Sequence, residues 1–171
     1  MPKNELETFL DVWNHEAQNT LRLLKALPAG QYDFRPDPSG RSLGELAWHL
    51  AEGDAYISFG IAAGQFNFQA KPPNIERPRT IEALAPGYER IHREAVERIQ
   101  KLKADDLDRS IDFFSGPRTI RDLLWDAIVF HGIHHRGQLT VLCRLAGGEV
   151  PGLYGPNREQ TAAMRAGAAS A

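Results

Sequence analysis

The stretch "QFNFQAKPPNIERPR", residues 65–79, decides how this chain can fold. Its prolines, Pro72, Pro73 and Pro78, deny it a continuous helix or an interior strand. It also exceeds the roughly two to eight residues that usually join neighbouring helices of a bundle. A connection this long can carry the chain to the opposite end of a bundle, so that the helices on either side run parallel instead of antiparallel.

Working outward from it, helix signals stand on both sides. Upstream, Ser42-Leu43-Gly44-Glu45 is a capping box, in which Ser42 and Glu45 satisfy each other's unpaired backbone amides. Helix two then runs to about Gly64. Downstream, Thr80 is a candidate cap for helix three, whose apolar stripe is Ile81, Leu84, Tyr88, Ile91, Ala95, Ile99 and Leu102. Pro86 lies too deep for a first-turn proline if Thr80 is the cap, so the spacing predicts a kink or a later start.

Residues 4 to about 27 form helix one, with Leu6, Phe9, Leu10, Trp13, Ala17, Leu21 and Leu24 at three- and four-residue spacing. Pro28 and Gly30 close it, and "FRPDPSGR" (34–41) is turn chemistry. Residues 105–116 read as a loop. Helix four opens at Thr119 and continues to Leu145, where Gly147-Gly148 stops it. No internal repeat and no β alternation of useful length is visible. The expected fold is therefore all-α, an up-down-down-up four-helix bundle with its long crossover between helices two and three. One domain covers 1–157, and the small-residue segment 158–171 is expected to be a fraying tail.

At 171 residues, with a formal charge of −2 and 42% hydrophobic residues, the chain has the balance of an ordinary globular protein. The densest basic run, Arg90 to Lys103, is interleaved with Glu94 and Glu97, which reads as a solvated helix face and argues against nucleic-acid binding. No apolar signal core or membrane-spanning run is visible, so the expected location is the cytoplasm. Cys143 is the single cysteine, which excludes an internal disulfide and a thiolate cluster. Any metal must rely on histidines and carboxylates.

"HGIHHRGQ" (131–138) supplies such histidines. At ~100° per residue His131 and His135 share a face with Ile120, Leu124, Gln138 and Leu142, within ~40° of His131. Two imidazoles one turn apart can grip one cation from the same side. His49, at the edge of the Leu46, Gly53 and Tyr56 stripe of helix two, is the natural third ligand. The alternative is that each inward histidine is hydrogen-bonded to a carbonyl or carboxylate. His134 falls at the margin of the stripe and takes a rim role. His15 reads as a surface residue and His92, among Tyr88, Ala95 and Ile99, as a packed or hydrogen-bonded one, with lining of the site as the alternative. Glu52, on the His49 side of helix two, is the candidate catalytic residue. It is placed to accept from a ligand imidazole, to act as a general base, or simply to face water. Arg41 and Arg136 are candidate binders of anionic groups, with surface solvation the simpler reading of each. Cys143 reads as a packing residue.

"SLGELAWHL" (42–50), "HGIHHRGQL" (131–139) and the following "GGEVPGLYGP" (147–156), in this order along four helices, resemble the DinB/YfiT-like superfamily of metal-dependent enzymes over about residues 5–157. The resemblance implies a divalent metal held by His49, His131 and His135. It also implies kinship with S-transferases that use bacillithiol or mycothiol and with a mycothiol-dependent maleylpyruvate isomerase. Many members have no assigned activity, and dimers are common. The DinB name reflects induction by DNA damage and implies no contact with DNA.

Three neutral imidazoles leave coordination positions open, as at a catalytic site. The first expectation is a thiol-dependent S-transferase acting on a small electrophile, with zinc or nickel as the leading ions and a low-molecular-weight thiol as cofactor. The alternatives are a metal-dependent hydrolase with Glu52 as base, and a non-catalytic metal-binding stress-response protein. Trp125, Val129 and Ile133 put a second apolar face on helix four, to be covered by helix one, by the tail, or by a second copy in a homodimer.

Overall fold

A computed structural model describes residues 3–67, 69–114 and 116–169, and most of them are helical. Helix α1 spans Glu5–Lys25, α2 Leu43–Ala63 and α3 Leu84–Ile99. A short 3-10 turn, Ala104–Asp108, leads into an antiparallel hairpin of β1, Ser110–Phe113, and β2, Gly116–Thr119. Helix α4 covers 120–145 in three consecutive pieces: α-helical Ile120–Asp122, π-helical Leu123–Phe130 and α-helical His131–Leu145. Helix α5 spans Arg158–Ala169.

The capping box at Ser42 and Glu45 opens α2 as the sequence predicts, and a second one, Asn4 with Glu7, opens α1. Thr80 does not cap α3. That helix begins later, with Ala83 at its N-cap and no side-chain bond there. Pro86 consequently falls in the first turn, where its missing N–H removes no helical hydrogen bond.

Three further features depart from expectation. Residues 110–119, read as loop and helix cap, form the hairpin: Ile111 alternates inward to the core, and Gly116 adopts φ +116°, a conformation few other residues tolerate. The first half of α4 is π-helical, so its turns are wider than ideal, and Leu123, Leu124, Ile128 and Val129 are all buried along it. The expected tail is helical through Ala169, while its last two residues lie outside the described ones. Asn157 and Gln160 bond each other's backbone amides at its start, and Glu159 pairs with Arg144 of α4 at 2.7 Å. A small-residue composition that reads as a tail is also one with high helix propensity, and these anchors decide between the two.

The crossover is pinned by α2. Trp48 is almost fully buried and donates its indole N–H to the Ile75 carbonyl at 3.2 Å, while Ile75 itself joins the core. The same ring lies against Gly87, where an added Cβ would stand 2.7 Å from it.

The core has two apolar clusters. One combines Leu21 and Leu24 of α1, Leu43 to Ala55 of α2, Leu84 to Ile91 of α3 and Leu139 to Cys143 of α4. The other combines Leu6 to Trp13, Ile57 and Ile61, Ala95 and Ile99, and Ile120 to Val129. The C-terminal half of α1 thus meets the N-terminal halves of α2 and α3. Between the clusters lies a polar belt. Asp54 accepts from the Trp13 indole at 3.1 Å and bonds His92 Nδ1 at 2.9 Å, and His92 Nε2 faces Asn14 Oδ1 at 3.1 Å. Trp125 packs edge-on against Phe9 and bonds Glu5, and Val129 and Ile133 join the cluster that holds α1, so the second apolar face of α4 is covered by helix one. Among the described residues no helix is long and apolar enough to cross a membrane.

Candidate metal centre

His49 stands in the second turn of α2, whose start is fixed by the Ser42 cap. His131 and His135 occupy the first two turns that follow the π-helical stretch of α4. The approach of these helices brings the three rings together. Centroid distances are 5.2 Å for His49–His131, 4.6 Å for His49–His135 and 4.4 Å for His131–His135. One ring nitrogen of each lies within 4.8 Å of the other two.

The Nε2 atoms of His131 and His135 are 3.0 Å apart. Two ligands of a tetrahedral zinc, each bonded at about 2.0–2.1 Å, stand about 3.3 Å apart, so this pair is already near the required spacing.

Neighbouring groups turn the correct nitrogens inward. His49 Nδ1 lies 3.3 Å from Glu52 Oε2, and a carboxylate only accepts, so the Nδ1 proton is fixed there and Nε2 keeps its lone pair. His135 Nδ1 is engaged in the same way by Gln138 Oε1 at 2.7 Å. This arrangement orients imidazoles in metal sites. Burial, reinforced by the neighbouring His135, His49, His134 and Arg41, pushes His131 down to about 4. Burial likewise lowers His135, against the opposing bond from Gln138. Both rings are therefore neutral at pH 7, the form that ligates a metal. Half-buried and convergent, the triad could hold one divalent cation.

Glu52 is held on both sides. Beyond His49 it accepts from Arg77 Nη2 at 2.7 Å. Burial alone would raise its carboxyl, yet the bonds from His49 and Arg77 together leave it below the usual value. Of the roles read from sequence, the structure places Glu52 as acceptor for a triad imidazole. Arg77 was not foreseen, because it comes from the proline-rich crossover, where no periodicity points to a partner.

His49 and His131 of the triad open on a cleft of about 590 Å³. Its walls include Tyr56 and Ile57 of α2, Phe113 and Phe114 of the hairpin, and Ala127 of α4, with Arg41, Arg118 and Asp126 among its polar residues. The hairpin residues were missed together with the hairpin. The available signal was the alternation of Ile111 and Phe113 before a Ser-Gly pair.

The other histidines sort as follows. His134 is exposed beside His135, with centroids 5.0 Å apart, and His15 is exposed on α1. His92 is buried in the Asp54 network, away from the triad. Arg136 is a correction: it is 2% exposed, not solvated. It donates to the Glu16 carbonyl at 2.7 Å and to Thr20 Oγ1 at 3.1 Å, and it contacts the Glu16 carboxylate and the Tyr154 hydroxyl. Its charge is consumed in joining α4 to α1. Cys143 is fully buried, and burial raises its thiol, consistent with a packing role.

Comparison with known proteins gives the same picture of fold and kinship. An uncharacterised protein of Bacillus subtilis strain 168, YrdA, is 32% identical over 160 residues, covering 92% of each chain. The crystal structure of a DinB-like protein from Bacillus cereus ATCC 10987 matches with a TM-score of 0.73 and 32% identity, over 86% of this chain and 97% of that one. That of the DinB-like protein YjoA from Bacillus subtilis matches with a TM-score of 0.70 and 25% identity, over 85% and 96%. The DinB family model matches residues 1–167, and the chain belongs to that family.

Proposed function

We propose that this protein is a divalent-metal-dependent enzyme that joins a small thiol through its sulfur to a small electrophile, the thiol proton leaving with the displaced group, with His49, His131 and His135 as the metal ligands and zinc or nickel as the ion. The observation that carries the reading is the convergence of three imidazole nitrogens within 4.8 Å of one another at the wall of a cleft of about 590 Å³. A structural zinc site is closed by four protein ligands, whereas three ligands beside a cleft leave room for a reactant.

A bound divalent cation supplies Lewis acidity, which stabilises a thiolate at neutral pH. The chain's own residues do the rest. Glu52 and Gln138 hold the Nδ1 protons of His49 and His135, and Arg77 holds Glu52 in place. Ile57, Phe113 and Phe114 keep the reacting groups in apolar surroundings.

Two features favour an external thiol over activated water. Both oxygens of Glu52 are engaged, and Asp126, also at the cleft, is paired with Arg118 at 2.5 Å, so neither is a free general base. The one cysteine is buried among core side chains away from the cleft, so the nucleophilic sulfur has to come from a ligand. We also assign the four long helices to an up-down-down-up bundle, a reading supported by the halves of α1 to α4 that share each apolar cluster.

The test is to load the purified protein with zinc, nickel or manganese and to follow conjugation of several low-molecular-weight thiols to 1-chloro-2,4-dinitrobenzene. Metal-dependent turnover that falls to the uncatalysed rate in His131→Ala is expected. Turnover indifferent to that substitution, or equal without thiol, overturns the reading.

A further inference from the structure

Among the described residues each carboxylate around the cleft has an arginine partner, and one arginine has no such partner. Glu52 is held by Arg77 at 2.7 Å, Asp126 by Arg118 at 2.5 Å, and Glu45, at the start of α2, by Arg35 at 2.6 Å. Arg41 lines the same cleft, is exposed, and has no ion-pair partner among the described residues. It also lines a second groove of about 480 Å³ that reaches the triad from the His135 side. Arg41 therefore stands where both openings meet the histidines.

Its backbone is fixed. Arg41 immediately precedes the Ser42 cap, and the next residue, Leu43, donates its N–H to the Phe34 carbonyl at 2.9 Å. The base of its side chain thus sits beside the positive end of the α2 dipole. The imidazoles add no negative charge in either protonation state, and a bound cation would add positive charge. Tyr56, Ile57, Phe113, Phe114 and Ala127 give the same cleft apolar lining, and low-dielectric walls strengthen the field of an unmatched guanidinium.

We propose that Arg41 is the anion anchor of this cleft, and that the ligands of the site are small amphiphilic carboxylates whose apolar body lies against Tyr56, Ile57, Phe113 and Phe114. A guanidinium presents two parallel N–H donors to a carboxylate, and flat apolar groups suit an aromatic wall. The aromatic cleft is favoured over the second groove because it exposes two of the three triad rings, His49 and His131, whereas the groove exposes only His135. The identification of these ligands as substrates rests on the enzymatic reading above, but the binding itself does not.

The experiment uses metal-free, chelator-treated protein with two probes of one shape, 3-phenylpropionate and 3-phenylpropionamide, titrated by calorimetry and by NMR. The wild type is expected to bind the carboxylate about tenfold more tightly than the amide, the scale of one charge-assisted contact. Raising the salt concentration should shrink the difference. Arg41→Gln should abolish it with an unchanged melting temperature, and Arg41→Lys should restore part of it. A preference that survives in Arg41→Gln, equal binding of the two probes by the wild type, or binding of neither overturns the proposal. Because no metal is present, failure of the metal-dependent reading would leave these outcomes unchanged, and their failure would leave that reading standing.

Discussion

Replacing Glu52 by Gln separates two roles that one carboxylate near a metal site can have. If it acts by holding the Nδ1 proton of His49, the substitution weakens metal binding. If it acts as a base, metal binding is retained and only turnover falls. Loss of an acceptor to a ligand imidazole costs about 10–100-fold in metal affinity. The geometry puts this case at the lower end. The bond is 3.3 Å long, Glu52 is shared with Arg77 at 2.7 Å, and the His49 and Glu52 side chains keep 18% and 22% exposure. Gln also preserves one acceptor oxygen while losing the charge that makes the imidazole more basic. The expected loss is about tenfold, near 1.4 kcal/mol. The assay is competition for zinc against a chromophoric chelator at neutral pH, with His49→Ala alongside as the loss of a whole ligand. Glu52→Gln should fall between wild type and His49→Ala. An affinity within about twofold of wild type refutes the orienting role, because a shift that small lies below any acceptor effect of this kind.

Two other expectations follow from particular contacts. Gly87→Ala in α3 would ordinarily stabilise a helix, by about 0.5–1 kcal/mol. Here the new Cβ meets the Trp48 ring at 2.7 Å, and that ring is pinned by its bond to Ile75, so overpacking of about 1–3 kcal/mol prevails. Differential scanning calorimetry should show a lower melting temperature, and a rise would disprove the contact. For pH, the folded chain holds His131 at about 4 and His135 below its ordinary value of 6.5, so between those limits the unfolded chain binds more protons. The metal-free protein should therefore hold this part of its stability above pH 6.5 and lose it as pH falls toward 4. Urea midpoints recorded across that window should decline less steeply for His131→Ala, and parallel curves for the two proteins would contradict the assignment.

How far a residue's role can be read in the sequence depends on how far away its partner lies along the chain. Ser42 and Glu45 are three apart, and their capping box is visible directly. His131 and His135 are four apart, so their shared face follows from helical geometry alone, and the pair His49–Glu52, three apart, lies within the same reach. Arg77 and Glu52 are separated by 25 positions, across a proline-rich segment whose path is set by Trp48, and nothing local to Arg77 announces the contact. Arg136 shows the limit more sharply. It sits one position after a triad residue and reads as a solvated charge, but its partners on α1 are 116 and 120 positions away. The hairpin and the π-helical turns of α4 fail for a related reason. Each is only a few residues of weak local preference, fixed by the core that Ile111, Leu123 and Leu124 enter together. Candidate ligands carried on one helix face, and neighbours three residues away that orient them, are thus visible before the fold is known, whereas Arg77 and the walls that would select a substrate arrive on loops and distant helices. That division explains why the three histidines could be named from sequence and why the chemistry proposed for them has to be approached through Arg41, Arg77 and the aromatic wall.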